Sequence, residues 1–212
     1  MSRSPRALVG QWDRRAPTYD TKMAGVERRY LADSRRWVCG RAHGRTLEVA
    51  VGTGANLRYY PGKVELTAVD WSPAMLDAAR QRADQVGRAV TFQRADAGAL
   101  PFPAATFDTV VVTFSLCCVP DERAALAEAL RVLRPGGSLL LADHVVSSSW
   151  WFRAAQRMVE LASIPLQGEH YTRRPAATLA GLGVAIEESE RLTLGAIERV
   201  HARTSFAERL PN

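Results

Sequence analysis

The sequence predicts an open α/β sheet, mostly parallel, with helices on both faces. From Thr46 onward, short β-rich runs alternate with helical stretches, a pattern typical of this architecture. The central runs are almost entirely apolar, as expected for parallel strands that are covered on both sides. A closing strand pair follows, and the seven predicted strands span residues 46–51, 65–70, 89–94, 107–114, 138–143, 185–192 and 196–202.

Two helices of this alternation carry local start and stop signals. Ser72 followed by Pro73 predicts the N-cap and first position of a helix over residues 72–86. A second helix is predicted over 121–133, because the Arg-Pro-Gly-Gly run at 134–137 ends it and turns the chain into the next strand.

Composition and charge narrow the classes of function. The chain has 212 residues and a net charge of +6, and none of its apolar runs is long enough to span a membrane. The arginines are scattered and are not interleaved with aromatic residues, so we expect no nucleic acid partner and at most a weak association with a membrane surface. Three cysteines without metal-ligand spacing, and the lack of a secretory signal, predict a reduced cytoplasmic protein without a metal site.

A glycine turn after the first strand points to a ligand. The segment 46–56 is a buried strand that runs into a glycine turn and a helix, where backbone N–H groups are free to meet a polar group. Asp70 ends the second strand, where a carboxylate can accept hydrogen bonds from both hydroxyls of a ribose, and Asp96 follows the third, where it can accept from an adenine amino group. Position 57 is Leu, where a dinucleotide-binding loop would have Gly, so adenosine with a short zwitterionic tail is favoured over a nicotinamide cofactor.

Together these segments resemble the class I S-adenosylmethionine-dependent methyltransferases of the type 11, UbiE-like superfamily. The similarity extends over nearly all of the chain, and four segments carry it: residues 47–54, 69–76, 95–108 and 131–137. Ala50 stands where the loop of that family has its first glycine, so close backbone approach depends on Gly52 and Gly54. The resemblance implies a Rossmann-like fold, S-adenosyl-L-methionine as cofactor and S-adenosyl-L-homocysteine as product.

The resemblance also implies a role for individual residues. Around the cofactor, it assigns Gly52, Thr53, Gly54 and Asn56 to the methionine moiety, Asp70 to the ribose, Trp71 and Met75 to the faces of adenine, Asp96 and Ala97 to its edge, and Ser115 to the point where cofactor and acceptor meet. It places Tyr19 in an N-terminal segment that closes over the methyl group, although a packed aromatic anchor is an equally good interpretation of that residue.

Candidate bases are few. His144 ends the fifth strand at the edge of the sheet where ligands bind, and His170 lies in a polar segment of the substrate region. For each histidine, a structural hydrogen bond is the alternative to catalysis. Cys117 and Cys118 are expected to be packed and not nucleophilic.

The resemblance divides the single domain, 1–212, into four parts. These are an N-terminal helical lid (1–44), a cofactor-binding core (45–143), substrate-side helices (144–183) and closing strands (184–204).

The acceptor is expected to be a small hydrophobic molecule, because aromatic residues 150–152 precede Met158 and Leu161 at helical spacing. An amphipathic helix packed on the sheet explains the same spacing. Residues 114–121 and 142–145 are similar to alkyl thiol methyltransferases, which makes S-methylation of a thiol the first hypothesis. C-methylation of a quinone-like ring and N-methylation of a lipid or small amine are the alternatives, and a non-catalytic cofactor-binding protein is the alternative from another class.

Overall fold

A computed structural model describes residues 5–204 and confirms a seven-stranded, mostly parallel sheet. The strands are β1 (Arg45–Val49), β2 (Glu65–Asp70), β3 (Thr91–Arg94), β4 (Phe107–Thr113), β5 (Leu133–His144), β6 (Ala185–Leu192) and β7 (Ile197–Arg203). Their order across the sheet is β3-β2-β1-β4-β5-β7-β6, and β7 is antiparallel to both of its neighbours. All other pairs are parallel, so the carboxyl ends of β1, β2, β4 and β5 share one edge.

The helices of the described chain cover both faces and one edge of the sheet. They are α1 (Pro5–Val26), α2 (Ala32–Cys39), α3 (Pro73–Val86), α4 (Glu122–Val132), α5 (Trp150–Gln167) and α6 (Pro175–Ala180), and a π-helical turn joins α1 to α2. The predicted N-cap of α3 is confirmed, since Ser72 Oγ accepts the backbone N–H of Met75 at 3.2 Å. Among the helices of residues 5–204, none combines the length and apolarity that a bilayer crossing requires.

Side chains on the two faces of the sheet form two separate apolar layers. Because successive residues of a strand point to opposite faces, Val111 packs with α2 and α3, whereas Val110 and Val112 pack with α4 and α6. The central strands are therefore buried on both sides, which explains their continuous apolar runs.

Strand β5 begins earlier than the sequence predicts. Helix α4 ends at Val132, and the next residue already pairs with β4, but the register shifts before Ser138 pairs with Thr109. The Arg-Pro-Gly-Gly run forms this bulge. A Cβ on Gly137 would lie 2.8 Å from the carbonyl oxygen of Arg134, so the bulge requires glycine there.

The N-terminal helices lie across the carboxyl edge of the sheet. On α1, Asp13 accepts a hydrogen bond from Ser72 Oγ at 2.6 Å, and Asp20 accepts one from Thr53 Oγ1 at 2.7 Å. These contacts hold α1 over the loops that follow β1 and β2, as expected for a helical segment that covers the ligand edge.

We expect Ala50→Gly to leave the stability unchanged or raise it by up to about 1.6 kcal/mol. Ala50 follows β1 with φ of 56°, a left-handed conformation that costs a non-glycine residue about 1–2 kcal/mol, whereas glycine adds only about 0.4–1 kcal/mol of unfolded-state entropy. Urea unfolding measures the difference. Ala55→Gly, in the same loop but outside the left-handed region, is the control and should lose about 0.4–1 kcal/mol. Equal losses in the two variants would contradict the strain at position 50.

Candidate functional site

Three adjoining cavities open at the carboxyl edge of the parallel strands. The central cleft, about 640 Å³, lies between the loop after β1, the end of β2 and the end of β4, under Trp12 and Tyr19 of α1. A side pocket of about 300 Å³ shares Asp70 and Trp71 with it. An outer cavity of about 920 Å³ shares Tyr19, Trp12 and Phe114 with it. The central cleft therefore adjoins both the side pocket and the outer cavity.

The loop after β1 leaves the floor of the central cleft open. An added Cβ on Gly52 would meet no atom within 4 Å, so the absence of a side chain there keeps space for a ligand. Gly54 has a different role, because its added Cβ would lie 2.9 Å from Leu57 Cδ1. Thr53 lines the cleft and is fixed by its bond to Asp20.

Asp70 joins the two loops that border the cleft. Its Oδ2 accepts the backbone N–H of Gly52 and its Oδ1 accepts that of Ser72, both at 2.9 Å. Burial raises the pKa of this carboxyl to about 6, against the lowering effect of those backbone donors. Each oxygen retains a lone pair, and the side chain lines both the central cleft and the side pocket.

The side pocket gathers the other residues predicted to contact an adenine. Trp71, Asp96 and Ala97 line it, and Asp96 Oδ1 accepts the backbone N–H of Gly98 at 2.9 Å, which orients the exposed carboxylate. Met75 is buried and lines the central cleft instead.

A buried polar network lies beneath the central cleft. Arg35 donates to Asn56 Oδ1 at 3.0 Å and to Thr113 Oγ1 at 2.9 Å, and Asn56 Nδ2 donates to Glu48 Oε1 at 2.8 Å. Asn56 is therefore in this network and not on the cleft wall, where the sequence predicted it, because its amide is turned toward β1. Burial raises the pKa of Glu48 to about 7.

Asp143 organises the loop that follows β4. This fully buried carboxylate accepts the backbone N–H groups of Ser115 at 3.0 Å, Leu116 at 2.7 Å and His144 at 2.7 Å. Arg173 holds the same loop through the carbonyl oxygens of Leu116 and Val119. Ser115 consequently lines the central cleft, and its buried Oγ has no partner within the described chain, so it is available to a ligand.

The outer cavity has aromatic walls and a polar rim. It is lined by Trp12, Tyr19, Phe114, Tyr171, Leu31, Met23, Thr18, Cys117, Cys118 and His144, and by Arg15, Lys22 and Glu169. Arg15 pairs with Glu169 at 2.7 Å, which leaves the ammonium of Lys22 to give the rim a positive balance.

His144 is the titratable group of this cavity that is suited to accept a proton. Burial lowers its pKa below the ordinary histidine value, despite the nearby Asp143, so the imidazole is neutral at pH 7. Its Nδ1 is buried and has no hydrogen-bond partner in residues 5–204, and its ring lies 5.1 Å from that of Phe114.

The other predicted catalytic residues are placed differently. Tyr19 lies between the central cleft and the outer cavity, and burial raises its pKa, so the phenol keeps its proton. The side chain of His170 is on the wall of none of the three cavities, and its backbone N–H instead donates to the carbonyl oxygen of Cys117 at 2.8 Å. Cys117 is buried, whereas Cys118 lines both the central cleft and the outer cavity.

The aromatic stretch on α5 does not contribute to these cavities. Trp150, Trp151, Met158 and Leu161 are exposed, and none of them lines any of the three cavities. The expectation that they surround a hydrophobic acceptor is therefore wrong. Helical periodicity correctly identified a stripe on α5 but did not indicate which side of the helix faces the protein.

Sequence reasoning identified Tyr19 on α1 but missed Trp12, Asp13 and Asp20 on the same helix. Trp12 and Tyr19 lie two helical turns apart, and so do Asp13 and Asp20. This spacing places the members of each pair on one face of a helix. It was therefore a signal, available in the sequence, that α1 covers the cleft with two aromatic side chains and accepts hydrogen bonds from the loops below with two carboxylates. Arg35 gave no comparable signal, since arginines are frequent in this chain.

Comparison with known proteins shows that the sequence of this chain is similar to those of methyltransferases. Residues 47–141 match a family model described as a methyltransferase domain. The chain is 34% identical to a demethylmenaquinone methyltransferase of Deinococcus radiodurans, over 84% of this chain and 77% of that protein. It is 40% identical to a phosphatidylethanolamine N-methyltransferase of Cereibacter sphaeroides, over 48% of this chain, and that alignment spans about half (51%) of the relative.

Solved structures show the same fold. The crystal structure of the [4+2]-cyclase SpnF superposes with a TM-score of 0.77 at 18% identity, covering 98% of each chain. At this identity the likeness concerns the fold alone.

Replacing Glu48 by Gln should change the pH dependence of stability. A carboxyl whose pKa is about 7 when folded and about 4.5 when unfolded favours the folded state at low pH, and this contribution is lost as the pH rises from 4.5 to 7. The wild type should therefore lose about 3 kcal/mol relative to Glu48→Gln between pH 4.5 and 8. Urea unfolding at several pH values measures this. Glu65→Gln, exposed on β2, is the control, and a difference between wild type and Glu48→Gln that is constant with pH would contradict the assignment.

Proposed function

Because the chain belongs to the type 11, UbiE-like class I S-adenosylmethionine-dependent methyltransferases, we propose that it methylates a small hydrophobic acceptor in its outer cavity. The central cleft and the side pocket would hold the cofactor. When bound, S-adenosylmethionine supplies a methyl group that its sulfonium has already activated for displacement. The observation that carries this proposal is that the outer cavity shares Trp12, Tyr19 and Phe114 with the central cleft, so an acceptor and the cofactor would lie side by side, as in-line transfer requires.

The residues on the walls fit this cofactor. Asp70 has lone pairs free for two ribose hydroxyls, and Asp96 with Ala97 borders the side pocket that would take adenine. The space above Gly52 accommodates the amino acid tail, and Thr53 and the unpartnered Ser115 Oγ offer it hydrogen bonds. Trp71 and Met75 supply apolar contacts beside the base.

The acceptor that the outer cavity suits best carries an acidic O–H or S–H group. The imidazole of His144 is in its neutral form and can accept such a proton, whereas an amine needs no base and its cation would be repelled by Lys22. The aromatic walls favour a flat ring, and the relative from Deinococcus radiodurans, named for demethylmenaquinone, supports a quinol-like acceptor. A hydrophobic thiol is the second candidate, because the same imidazole can generate a thiolate.

Each group at the junction of the cavities has a separate role. His144 accepts the acceptor's O–H or S–H proton on its imidazole, which raises the electron density of the reacting atom. Tyr19 keeps its own proton and lies on the wall that the central cleft and the outer cavity share, beside the point where donor and acceptor would meet. Trp12 and the rest of α1 exclude water, and the backbone bonds of Asp143 fix His144 and Ser115 on either side of the junction.

Asp70→Asn should bind S-adenosylhomocysteine about 10–100-fold more weakly than the wild type. The substitution removes hydrogen bonds to a charged acceptor, which contribute about 1.5–3 kcal/mol. Isothermal titration calorimetry measures the affinity, and Asp77→Asn, whose side chain is exposed on α3, is the control that should bind normally. Unchanged affinity in a folded Asp70→Asn would contradict the assignment of the ribose site.

A panel of hydrophobic hydroquinones, thiols, phenols and amines, read by product mass, should identify the acceptor class. We expect turnover on hydroquinones, with a rate that rises with pH to a plateau reached through a pKa below 6.5, as His144 loses its proton. His144→Asn should reduce this rate about 100-fold or more and abolish the inflection.

His43→Asn, at the opposite edge of the sheet, is the matched control and should leave the rate unchanged. If only thiols were methylated, and His144→Asn lost only a modest part of the rate, the acceptor would be a thiol and not a hydroquinone. Turnover confined to amines would contradict the role of His144.

A further inference from the structure

Helix α5 is packed with its polar side against the protein. Gln156 donates to the carbonyl oxygen of Val145 at 2.9 Å and accepts the N–H of Ser147 at 2.8 Å. One turn further, Glu160 accepts two hydrogen bonds from Thr172, at 2.9 and 2.7 Å. These residues are spaced so that they lie on one side of the helix, and the side chains on that side form hydrogen bonds within the molecule.

The other side of α5 is apolar and exposed. We name it the α5 apolar face, and it consists of Trp150, Trp151, Met158, Val159, Leu161 and Ile164. Their exposed fractions run from 40% to 75%, whereas the apolar side chains of the core are at most 8% exposed. A contiguous exposed surface of this kind marks a site of interaction.

The charged side chains that α5 itself places beside this face are positive. Arg153 and Arg157 lie one turn apart at its border, and the acidic residue of the helix, Glu160, is turned inward. A second copy of the chain placed on this face would bring arginines against arginines. An anionic lipid surface complements both the apolar centre and the basic border, and tryptophan and arginine are typical of helices that lie in the bilayer interface.

We infer that the α5 apolar face docks the protein on anionic lipid bilayers, with α5 lying in the plane of the headgroups. The segment that follows α5 contributes Glu169 and Tyr171 to the outer cavity, whereas the α5 apolar face itself lines none of the three cavities. This inference depends on no step of the proposed methyl transfer. An experiment that contradicts lipid binding therefore leaves the proposed function untouched, and the reverse also holds.

Vesicle co-sedimentation of the full chain tests the docking. The wild type should bind phosphatidylcholine vesicles that contain phosphatidylglycerol at least tenfold more strongly than pure phosphatidylcholine vesicles, and 0.5 M NaCl should weaken that binding. Met158→Glu should reduce binding about tenfold or more, and Arg153→Gln with Arg157→Gln should remove most of the preference for the anionic lipid. Val86→Glu, at an exposed position of α3, is the matched control and should bind like the wild type.

Three outcomes would overturn the inference. These are no binding of the wild type to anionic vesicles, equal binding of Met158→Glu and wild type, and a dimer in light scattering that Met158→Glu dissociates in the absence of vesicle binding. The last outcome would assign the face to a second copy. Because position 158 is exposed, the variant should unfold at the same urea concentration as the wild type, which checks its integrity.

Discussion

The site depends on one buried carboxylate that binds two loops together. Asp70 accepts the N–H groups of Gly52 and Ser72, so the end of β2 fixes both the glycine turn after β1 and the start of α3. Helix α1 is attached to the same pair of loops, through Asp13 to Ser72 and Asp20 to Thr53. The hydrogen bonds of Asp70 therefore position both the glycine turn that forms the floor of the central cleft and the loops to which α1, its roof, is attached. Each carboxylate oxygen of Asp70 keeps a lone pair for a ligand.

Buried carboxylates that accept hydrogen bonds from neighbouring loops also occur in other strands of the sheet. Asp143 holds the loop after β4 through backbone N–H groups, and Glu48 anchors the network of Asn56, Thr113 and Arg35 beneath the cleft. Each carboxyl is buried, which raises its pKa, and each has its oxygens satisfied by donors on neighbouring loops. Internal carboxylates thus set the loop geometry, while Asp96 and the imidazole of His144 face the cavities.

The sequence predicted the fold, the strand-end acids and the N-cap of α3 because these depend on local spacing and on which strands are buried on both faces. It did not predict the orientation of Asn56, whose amide donates to Glu48 and Thr113, residues on two strands of the sheet. It wrongly predicted that the apolar stripe of α5 contacts the acceptor. Helical periodicity shows that a helix has an apolar and a polar side but not which of the two packs against the protein. Arg35 and Asp143 gained their roles from partners that are distant in sequence, which no local pattern contains.

The most direct measurement is the affinity for S-adenosylhomocysteine between pH 5 and 7.5, by calorimetry in buffers of different ionisation enthalpy. Ribose hydroxyls donate to the ionised form of Asp70, whose pKa in the free protein is about 6, so binding should strengthen about tenfold from pH 5 to 7 and release protons near pH 6. A wild-type affinity that is constant over this range, with no proton release, would contradict the central role of the Asp70 carboxylate.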